Sequence, residues 1–494
     1  MRRILFFLIT TTSFLLNAQT KRSNNWVTGY SGNRIDFSNN TITTHQGIYF
    51  PFKYFTGGNS CISDTNGNLK LTSDGFNIYR NDGSFVDEGD TLIPQYYYTI
   101  QDGWSSGSQT SIFLPMDSAK YYFITPTFSD VRYDDCHNNN GNCYFDLLLY
   151  NVIDMNANGG LGKVTKRMVP LMENASLRKT QMMACRHGNG KDWWLLKNEG
   201  DNADVHTFLF TQDSVYDKGV QTFAQPNWGP WDIRGQSAFS ADGAMFATTS
   251  HCSSCGLIFI ADFDRCYGIL SNPMTIQMPV GSQQMPNDST LTERLSTGLA
   301  FSPNGKFLYV MSHWNVYQYD LQDNTWFHIS GIDTTAQKFQ GYETAYIASD
   351  NKIYIGNFAG LSKQMSSIDN PDVKGAGCNF CPRCLRLDSL GANAYVGTPP
   401  CMPNYGLGAR TCWPLSISQY ANEPMSQLEV YPNPACSTLY IKTDKPIANN
   451  PKELYNSVGQ LILSTIANEM DVSRYSKGVY YLKCGIFTRK VIIE

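Results

Sequence analysis

Charged side chains are scarce in this chain of 494 residues: Asp, Glu, Lys and Arg make up 16% of it, and the formal net charge is −4. Because no basic stripe is present, the sequence gives no sign of nucleic-acid binding. It also lacks a phosphate-binding Gly-rich loop, a Gly-x-Ser-x-Gly elbow, a His-Glu-x-x-His helix and a Cys-x-x-Cys-His haem attachment. The enzyme and cytochrome classes that carry those motifs are therefore excluded.

Long apolar runs are also missing after residue 18, so we predict no transmembrane segment. The apolar run at residues 4–16 follows Arg2 and Arg3 and ends at Ala18, which is the pattern of a secretory signal peptide. The sequence thus predicts a cleaved signal at residues 1–18 and an exported mature protein. Fourteen cysteines in an exported chain favour disulfides over free thiols.

Glycine and aromatic residues are plentiful, and long helical patterns are few, which favours an all-β chain with many turns. Residues 298–320 show the pattern most clearly: an apolar run, the turn Ser302-Pro303-Asn304-Gly305, a second apolar run and an alternating third strand. Pro fixes φ, and Asn-Gly supplies the positive φ of a narrow hairpin. One such meander cannot bury both faces, so it needs neighbours of the same kind.

Five further stretches repeat this hairpin pattern, with turns near residues 66–67, 117–120, 189–191, 242–243 and 350–351. The N-terminal strands and residues 394–408 complete a seventh unit by pairing the two ends of the ring. We therefore predict a β-propeller over residues 19–415, with seven blades favoured and six or eight as alternatives. The run Ser-Pro-Asn-Gly-Lys before Leu-Tyr-Val resembles the repeat of surface-layer and tryptophan-aspartate propellers, which implies architecture but no single function.

Beyond a polar linker at residues 416–426, residues 427–494 alternate as short strands and predict a small β-sandwich. The module's motifs resemble, in order, those of the type A C-terminal sorting domain of type IX secretion. The residues that carry this likeness are Tyr431, Pro432, Asn433, Pro434, Gly459, Gly478, Tyr480 and Lys490. The resemblance implies passage through the periplasm, the type IX machinery as a partner, and a destination outside the cell or on its outer surface.

Cysteine spacing suggests four disulfides. The predicted pairs are Cys136 with Cys143, Cys252 with Cys255, Cys401 with Cys412, and Cys436 with Cys484, the last bridging the sandwich. A zinc site formed by Cys252, Cys255 and two histidines remains an alternative. A zinc knuckle around residues 378–384 lacks a nearby fourth ligand. A calcium loop starting at Asp154 lacks the Glu that its twelfth position needs, so we predict no resident cofactor.

Three polar stretches follow the second strand of a predicted blade and should meet at one rim of the propeller. Their ionisable residues are the candidate catalytic groups Asp134, Asp135, His137, His251 and His313. Tryptophans that could approach this rim as ligand platforms include Trp314, Trp228 and Trp231, although such residues more often wedge between blades. The first hypothesis is a surface protein whose loop-rich face binds a glycan, a protein or another surface component. The alternative is a hydrolase or lyase acting on a glycan or peptide at the propeller mouth.

Overall fold

The computed structural model describes most of the chain, in two compact units that span Met1–Cys412 and Trp413–Glu494. The described residues are 21–30, 32–38, 42–47, 53–103, 105, 107–138, 143–200, 204–223, 235–249, 256–281, 296–331, 341–357, 362–387, 390, 396–412, 428–442, 451–457, 460–484 and 487–494. The proposed signal peptide and linker lie outside them. Within the described residues the protein is nearly all β.

The described part of the first unit contains six four-stranded sheets and one three-stranded sheet, with antiparallel pairing throughout. Sheet 1 consists of β1 (Asn25–Tyr30), β2 (Asn33–Asp36), β3 (Thr43–His45) and β4 (Tyr54–Phe55), and sheet 2 of β5 (Ser60–Ser63), β6 (Leu69–Ser73) and β7 (Ile78–Arg80). Sheet 3 consists of β8 (Ile112–Pro115), β9 (Lys120–Thr127), β10 (Leu147–Asp154) and β11 (Lys163–Met172). Sheet 4 consists of β12 (Leu177–Arg186), β13 (Trp193–Glu199), β14 (Val205–Phe210) and β15 (Val215–Gln221).

The remaining sheets of this unit follow in chain order. Sheet 5 consists of β16 (Ser237–Phe239), β17 (Met245–Thr249), β18 (Leu257–Asp264) and β19 (Ile269–Gln277). Sheet 6 consists of β20 (Gly298–Phe301), β21 (Phe307–Met311), β22 (Val316–Asp320) and β23 (Thr325–Ser330). Sheet 7 consists of β24 (Tyr342–Ile347), β25 (Ile353–Asn357), β26 (Gln364–Ile368) and β27 (Phe380–Arg386). Short helices include α1 (Gln95–Ile100), α2 (Asp130–Asn138) and the 3-10 turns Lys21–Ser23, Asn158–Gly160 and Gly375–Cys378.

Sheet 6 shows how the sequence pattern produces a blade. The first hairpin closes at the predicted turn, where Gly305 adopts a φ of 71° and its N–H donates to the carbonyl oxygen of Ser302 at 2.9 Å. All residues of β20, β21 and β22 are buried, whereas β23 is partly exposed. Three buried inner strands and a partly exposed outer strand are what a radial blade requires, because only its last strand meets solvent along its length.

The sheets are arranged as a propeller whose ring closes between sheets 7 and 1. The first strands of most neighbouring sheets lie side by side, as β5 lies beside β8 and β20 beside β24. Gly298 in β20 is required by this close approach, because a Cβ there would lie 1.9 Å from the carbonyl oxygen of Glu343. At the closure, the buried ring of Trp26 packs edge-on against Tyr354, with centroids 5.6 Å apart.

The prediction that residues 394–408 form a closing strand is wrong, because residues 396–408 contain no strand. The N-terminal strands make a four-stranded sheet by themselves, in the order β3-β2-β1-β4. The segment nevertheless lies along β1, because the Thr28 hydroxyl donates to the carbonyl oxygens of Val396 and Thr398. We call residues 396–412 the axial segment.

The second unit is a two-sheet β-structure, as the alternating pattern predicts. One sheet has β28 (Glu429–Tyr431), β29 (Thr438–Lys442) and β32 (Glu469–Asp471), and the other has β30 (Lys452–Asn456), β31 (Leu461–Thr465), β33 (Gly478–Cys484) and β34 (Phe487–Ile493). Leu439, Leu454, Leu482 and Val491 are fully buried in a core built from both sheets. The inward-facing members of each alternating strand thus form one small sandwich core.

Candidate functional site

Two buried glutamines cross the propeller axis near the face at which the first strands of the sheets begin, here called the front face. Nε2 of Gln109 donates to the carbonyl oxygen of Ser237 at 2.8 Å and to the hydroxyl of Tyr346 at 3.1 Å. Gln236 bonds the backbone of Ala345 twice, donating to its carbonyl oxygen at 2.7 Å and accepting from its N–H at 3.0 Å. These contacts join sheets 3, 5 and 7, which are not neighbours in the ring, so both side chains occupy the axis.

The axial segment continues from the front towards the opposite face, the back face. The Val396 N–H donates to the carbonyl oxygen of Ser362, in the connection between β25 and β26, at 2.7 Å. Further on, the buried Tyr405 hydroxyl donates to the carbonyl oxygen of Phe113 in β8 at 2.9 Å. Asn404 then reaches the turn between β16 and β17, at the back face. The axis is therefore filled with protein from front to back at these levels.

A disulfide between Cys266 and Cys412 fixes the end of the axial segment to the turn between β18 and β19. The predicted pairing of Cys401 with Cys412 is thus wrong. Cys401 is a buried free thiol, and burial raises its pKa to about 12. The sequence could not reveal this pairing, because Cys266 and Cys412 are 146 positions apart and meet only in the closed ring.

Elsewhere the cysteines give a mixed result. The structure bonds Cys136 to Cys143 and Cys381 to Cys384, and it leaves Cys378 as a buried free thiol. The sandwich-bridging pair is wrong, because neither Cys436 nor Cys484 forms a disulfide in the described part of the chain. The pair Cys252 and Cys255 lies outside the described residues.

The candidates Asp134, Asp135 and His137 lie on the helix α2 and not in the loop that the sequence predicts. The imidazole of His137 stacks on the ring of Tyr133 at 4.0 Å, and its Nδ1 lies 3.1 Å from the Tyr133 carbonyl oxygen. Asp134 accepts a hydrogen bond from the side chain of Asn138 at 3.3 Å. These contacts are made within one helix of sheet 3.

His313 lies between β21 and β22 of sheet 6, with its ring 4.5 Å from that of the half-buried Trp314. Its carbonyl oxygen accepts a hydrogen bond from the Tyr342 N–H at 2.9 Å, and its ring covers Gly341 so closely that no Cβ would fit there. This packing joins sheets 6 and 7. His251, Trp228 and Trp231 lie outside the described residues, so a rim shared by His251 and His313 stays a prediction.

The tryptophans that follow the turn at residues 189–191 act as wedges between sheets. The indole N–H of Trp193 donates to the carbonyl oxygen of Pro115 in sheet 3, and that of Trp194 to the carbonyl oxygen of Arg265 at the end of sheet 5's third strand. Both side chains are almost fully buried. The amphipathic indole thus bridges neighbouring sheets while its N–H keeps a partner.

In the described part of the chain, no group of three or more His, Cys, Asp or Glu side chains could hold a metal ion. The start of the calcium-like loop is a turn, in which Asp154 accepts from the N–H of Asn156 at 2.9 Å and lies 3.7 Å from the ammonium of Lys120.

Lys197 is a fully buried lysine that the sequence pattern does not mark. Its Nζ donates to the carbonyl oxygens of Arg178 and Thr180, where the register of β12 shifts between Leu177 and Met182. Burial lowers the pKa of Lys197 well below its ordinary value. Because this amine is enclosed and bonded to two backbone carbonyl oxygens, we infer that its role is structural. It stabilises the irregular part of β12.

A polar groove of about 770 Å³ opens at the back face, on sheets 1, 2 and 3. We call it the back groove. It is lined by Asn25, Arg34, Asp36 and Ser38 of sheet 1, by residue 64 and residues 66–70 and 80–82 of sheet 2, and by Met155, Gly160 and Leu161 of sheet 3. Most of these are polar, which distinguishes the groove from the mostly apolar pockets that hold drug-like ligands.

The three carboxylates of the back groove are already hydrogen-bonded within the protein. Burial opposes ionisation of Asp64, but N–H donors from Asn68 and Asn66 outweigh it and lower its pKa. The Ser84 hydroxyl holds the pKa of Asp82 low, with further help from the guanidinium of Arg80 at 3.4 Å. Asp36 accepts from the Ser38 N–H at 2.8 Å.

Comparison with known proteins identifies the C-terminal module. Residues 429–494 match the family described as the secretion system C-terminal sorting domain. No curated protein matches the sequence significantly. Within the described residues, no helix is long and apolar enough to cross a membrane.

Solved structures that resemble the chain are distant. A Lactobacillus plantarum protein is 12% identical, with a TM-score of 0.43 over 77% of this chain and 98% of its own. A putative 6-phosphogluconolactonase from Bacteroides uniformis is 13% identical, with a TM-score of 0.33 over 95% of this chain and 100% of its own. The Dos1 propeller is 11% identical, with a TM-score of 0.34 over 66% of this chain and 70% of its own. Because these TM-scores are all below 0.5, we base the propeller assignment on the number and arrangement of the sheets in this chain and not on the neighbours.

The sorting module is held together by the motifs that the sequence analysis singled out. The side chain of Asn433 donates to the carbonyl oxygen of Lys490 and accepts from the N–H of Ile492, both at 2.8 Å. The first and last motifs of the module thus meet in the folded state. The chain is a secreted or outer-surface-attached protein with a propeller-like fold, and its C-terminal sorting module directs it to the type IX secretion machinery.

Proposed function

We propose that this protein is an exported binding protein whose propeller engages a glycan or another component of a cell surface. The observation that carries the proposal is the filled axis. Gln109 and Gln236 span it near the front, and the axial segment fills it further back. Propeller enzymes need a cleft in which ionisable groups converge. Ionisable groups do gather in the back groove, but its three carboxylates already accept hydrogen bonds from the protein's own backbone, which favours binding over catalysis there.

The sequence pattern favours the loop-rich face, here the front face, as the binding surface. The filled front axis supports a different location, because the back groove is the concave polar surface that the described residues provide. The candidates on α2 and the residue His313 belong to sheets 3 and 6 and are each packed locally. The hydrolase or lyase alternative therefore gains no support from them.

The proposal includes the route of export. A signal peptide at residues 1–18 delivers the chain to the periplasm, and the module at residues 427–494 then takes it across the outer membrane. A linker at residues 416–426 separates the module from a propeller at residues 19–415.

The test is retention of the secreted protein on cell-envelope fractions and insoluble polysaccharides, measured over a series of protein concentrations. We expect saturable retention on at least one such surface. Absence of retention on every surface, together with turnover of a glycan or peptide substrate, would replace the binding role with the enzymatic one.

A further inference from the structure

We infer that the back groove is a binding site for a neutral oligosaccharide; this deepens the proposed function and rests on it. The groove's volume of about 770 Å³ suits a ligand of several sugar units. It is formed by turns and strand ends of three neighbouring sheets, so its walls are fixed by the ring and not by one mobile loop.

The charges of the groove favour a ligand without net charge. Arg80 and Asp82 form an ion pair at 3.4 Å. The remaining lining charges are the cations Arg34 and Lys70 and the carboxylates of Asp36 and Asp64. These two pairs of opposite charges cancel, and the mixture of donors and acceptors matches hydroxyl groups, which both donate and accept.

Two donors in the groove are uncommitted. In the described part of the chain, neither the guanidinium of Arg34 nor the ammonium of Lys70 has a hydrogen-bond or ion-pair partner, although both side chains are half-buried. Nε of Arg34 is buried, so it has lost hydration without compensation from the described residues. A ligand hydroxyl would supply the missing acceptor.

A polar atom at the floor of the groove also lacks a hydrogen-bond partner among the described residues. Asn25 lines it and is only 1% exposed. Its Nδ2 donates to the Ser63 hydroxyl at 3.0 Å and to the carbonyl oxygen of Gly67 at 2.7 Å, while its Oδ1 has no partner among the described residues. Buried amide oxygens are normally satisfied, so this oxygen is an unmet acceptor beneath the lining of the groove.

The apolar content of the groove argues against a peptide. Peptide recognition relies on apolar pockets, aromatic grooves or an open sheet edge. Here the apolar lining is restricted to the buried Leu69 and Met155 and the exposed Leu161. An oligosaccharide needs no such pocket, because its hydroxyls can bond directly to the Asp, Asn, Arg and Lys side chains.

The experiment is isothermal titration of the full-length secreted protein with cellohexaose, xylohexaose, mannohexaose and chitohexaose, with tetragalacturonate as an acidic probe. We expect saturable binding of at least one neutral hexasaccharide. Arg34→Ala and Lys70→Ala should each weaken it at least tenfold. Lys306→Ala, an exposed lysine in the turn between β20 and β21, is the matched control and should leave affinity unchanged.

A thermal melt of each variant shows whether it is folded. If Arg34→Ala does not fold, the affinity of Lys70→Ala alone decides the test. Binding of tetragalacturonate alone, no binding of any neutral hexasaccharide, or affinity unchanged in Lys70→Ala would each overturn the site. If retention on envelope fractions persists in that case, the binding role stands and only the groove assignment falls.

Discussion

Tyr405 donates a hydrogen bond from its phenol to the carbonyl oxygen of Phe113 at 2.9 Å, although the two residues are 292 positions apart in sequence. Both residues are almost completely buried. This bond fixes the axial segment against an inner strand of sheet 3. The axial segment therefore contributes to the stability of the propeller, which a substitution at Tyr405 can test.

Tyr405→Phe removes that hydrogen bond and leaves a buried carbonyl oxygen without its donor. We expect the free energy of unfolding of the propeller unit to fall by about 1–3 kcal/mol. Urea denaturation followed by tryptophan fluorescence measures this. Tyr431→Phe, at an exposed phenol in the second unit, is the control, and an equal effect of the two substitutions would contradict the account.

The Cys266–Cys412 disulfide should stabilise the propeller more than the Cys381–Cys384 disulfide, because their sequence separations are 146 and 3 residues. Closing a long loop restricts the unfolded chain more than closing a short one. Replacing Cys266 and Cys412 by alanine should cost about 2–4 kcal/mol. Replacing Cys381 and Cys384 should cost clearly less, and the reverse order in chemical denaturation would show the prediction to be wrong.

Gln236→Leu tests the network at the front of the axis. The substitution would leave the N–H groups of Leu299 and Ala345 and the carbonyl oxygen of Ala345 without their partner. With three buried polar groups orphaned, we expect a loss of at least about 3 kcal/mol. Gln322→Leu, at an exposed turn, should change stability by less than about 0.5 kcal/mol. Equal denaturation midpoints would rule out a closed axis.

His206 should make stability depend on pH. Burial lowers its pKa, but hydrogen bonds to Glu199 at 2.5 Å and Asp217 at 2.7 Å outweigh burial and raise it above the ordinary value. Because the pKa of His206 is higher in the folded state, its protonated form stabilises the folded protein. This stabilisation is complete below the unfolded pKa of about 6.5, and it is lost as the pH rises through the folded pKa. The cost of His206→Asn should therefore be largest near pH 6 and shrink towards pH 9.

His328 provides a control of opposite sign, because burial lowers its pKa. Its neutral form stabilises the folded state above pH of about 6.5, and this contribution is lost as pH falls. The cost of His328→Asn should thus grow with pH. Thermal melts of both variants from pH 6 to pH 9 measure the two slopes, and slopes of the same sign would contradict the assignment.

Removing residues 428–494 should leave the protein in the periplasm, because the sorting module supplies its route outward. Asn433→Ala should reduce surface delivery in part, since Asn433 ties the first motif to β34. Asn468→Ala, at an exposed loop in the same module, is the control. Cell fractionation and immunoblotting measure the distribution. Undiminished delivery of the truncated protein would refute the sorting role.

Local sequence signals were sufficient for much of the fold. The turn at Gly305 and the alternation in β33 and β34 depend on residues only a few positions apart, so the hairpins and the sandwich strands were predictable. The sorting motifs were equally visible because they occur in order within one short module.

Long-range relationships could not be predicted in the same way. Cys412 pairs with Cys266 and Tyr405 with Phe113 only because the ring closes. The filled axis likewise depends on Gln109 and Gln236, which have no distinctive neighbours in sequence. The helix α2 was missed because its polar residues suggested a loop, whereas Tyr133 packs it onto α1 through Tyr96 and Tyr97.

Hydrogen–deuterium exchange of the full-length protein, with and without the neutral hexasaccharide that binds most tightly, tests the central claim most directly. The account predicts slower exchange at residue 64 and residues 66–70 and 80–82, which line the back groove. Slower exchange at residues 131–138 and 312–315 instead would place recognition at the front face and contradict it.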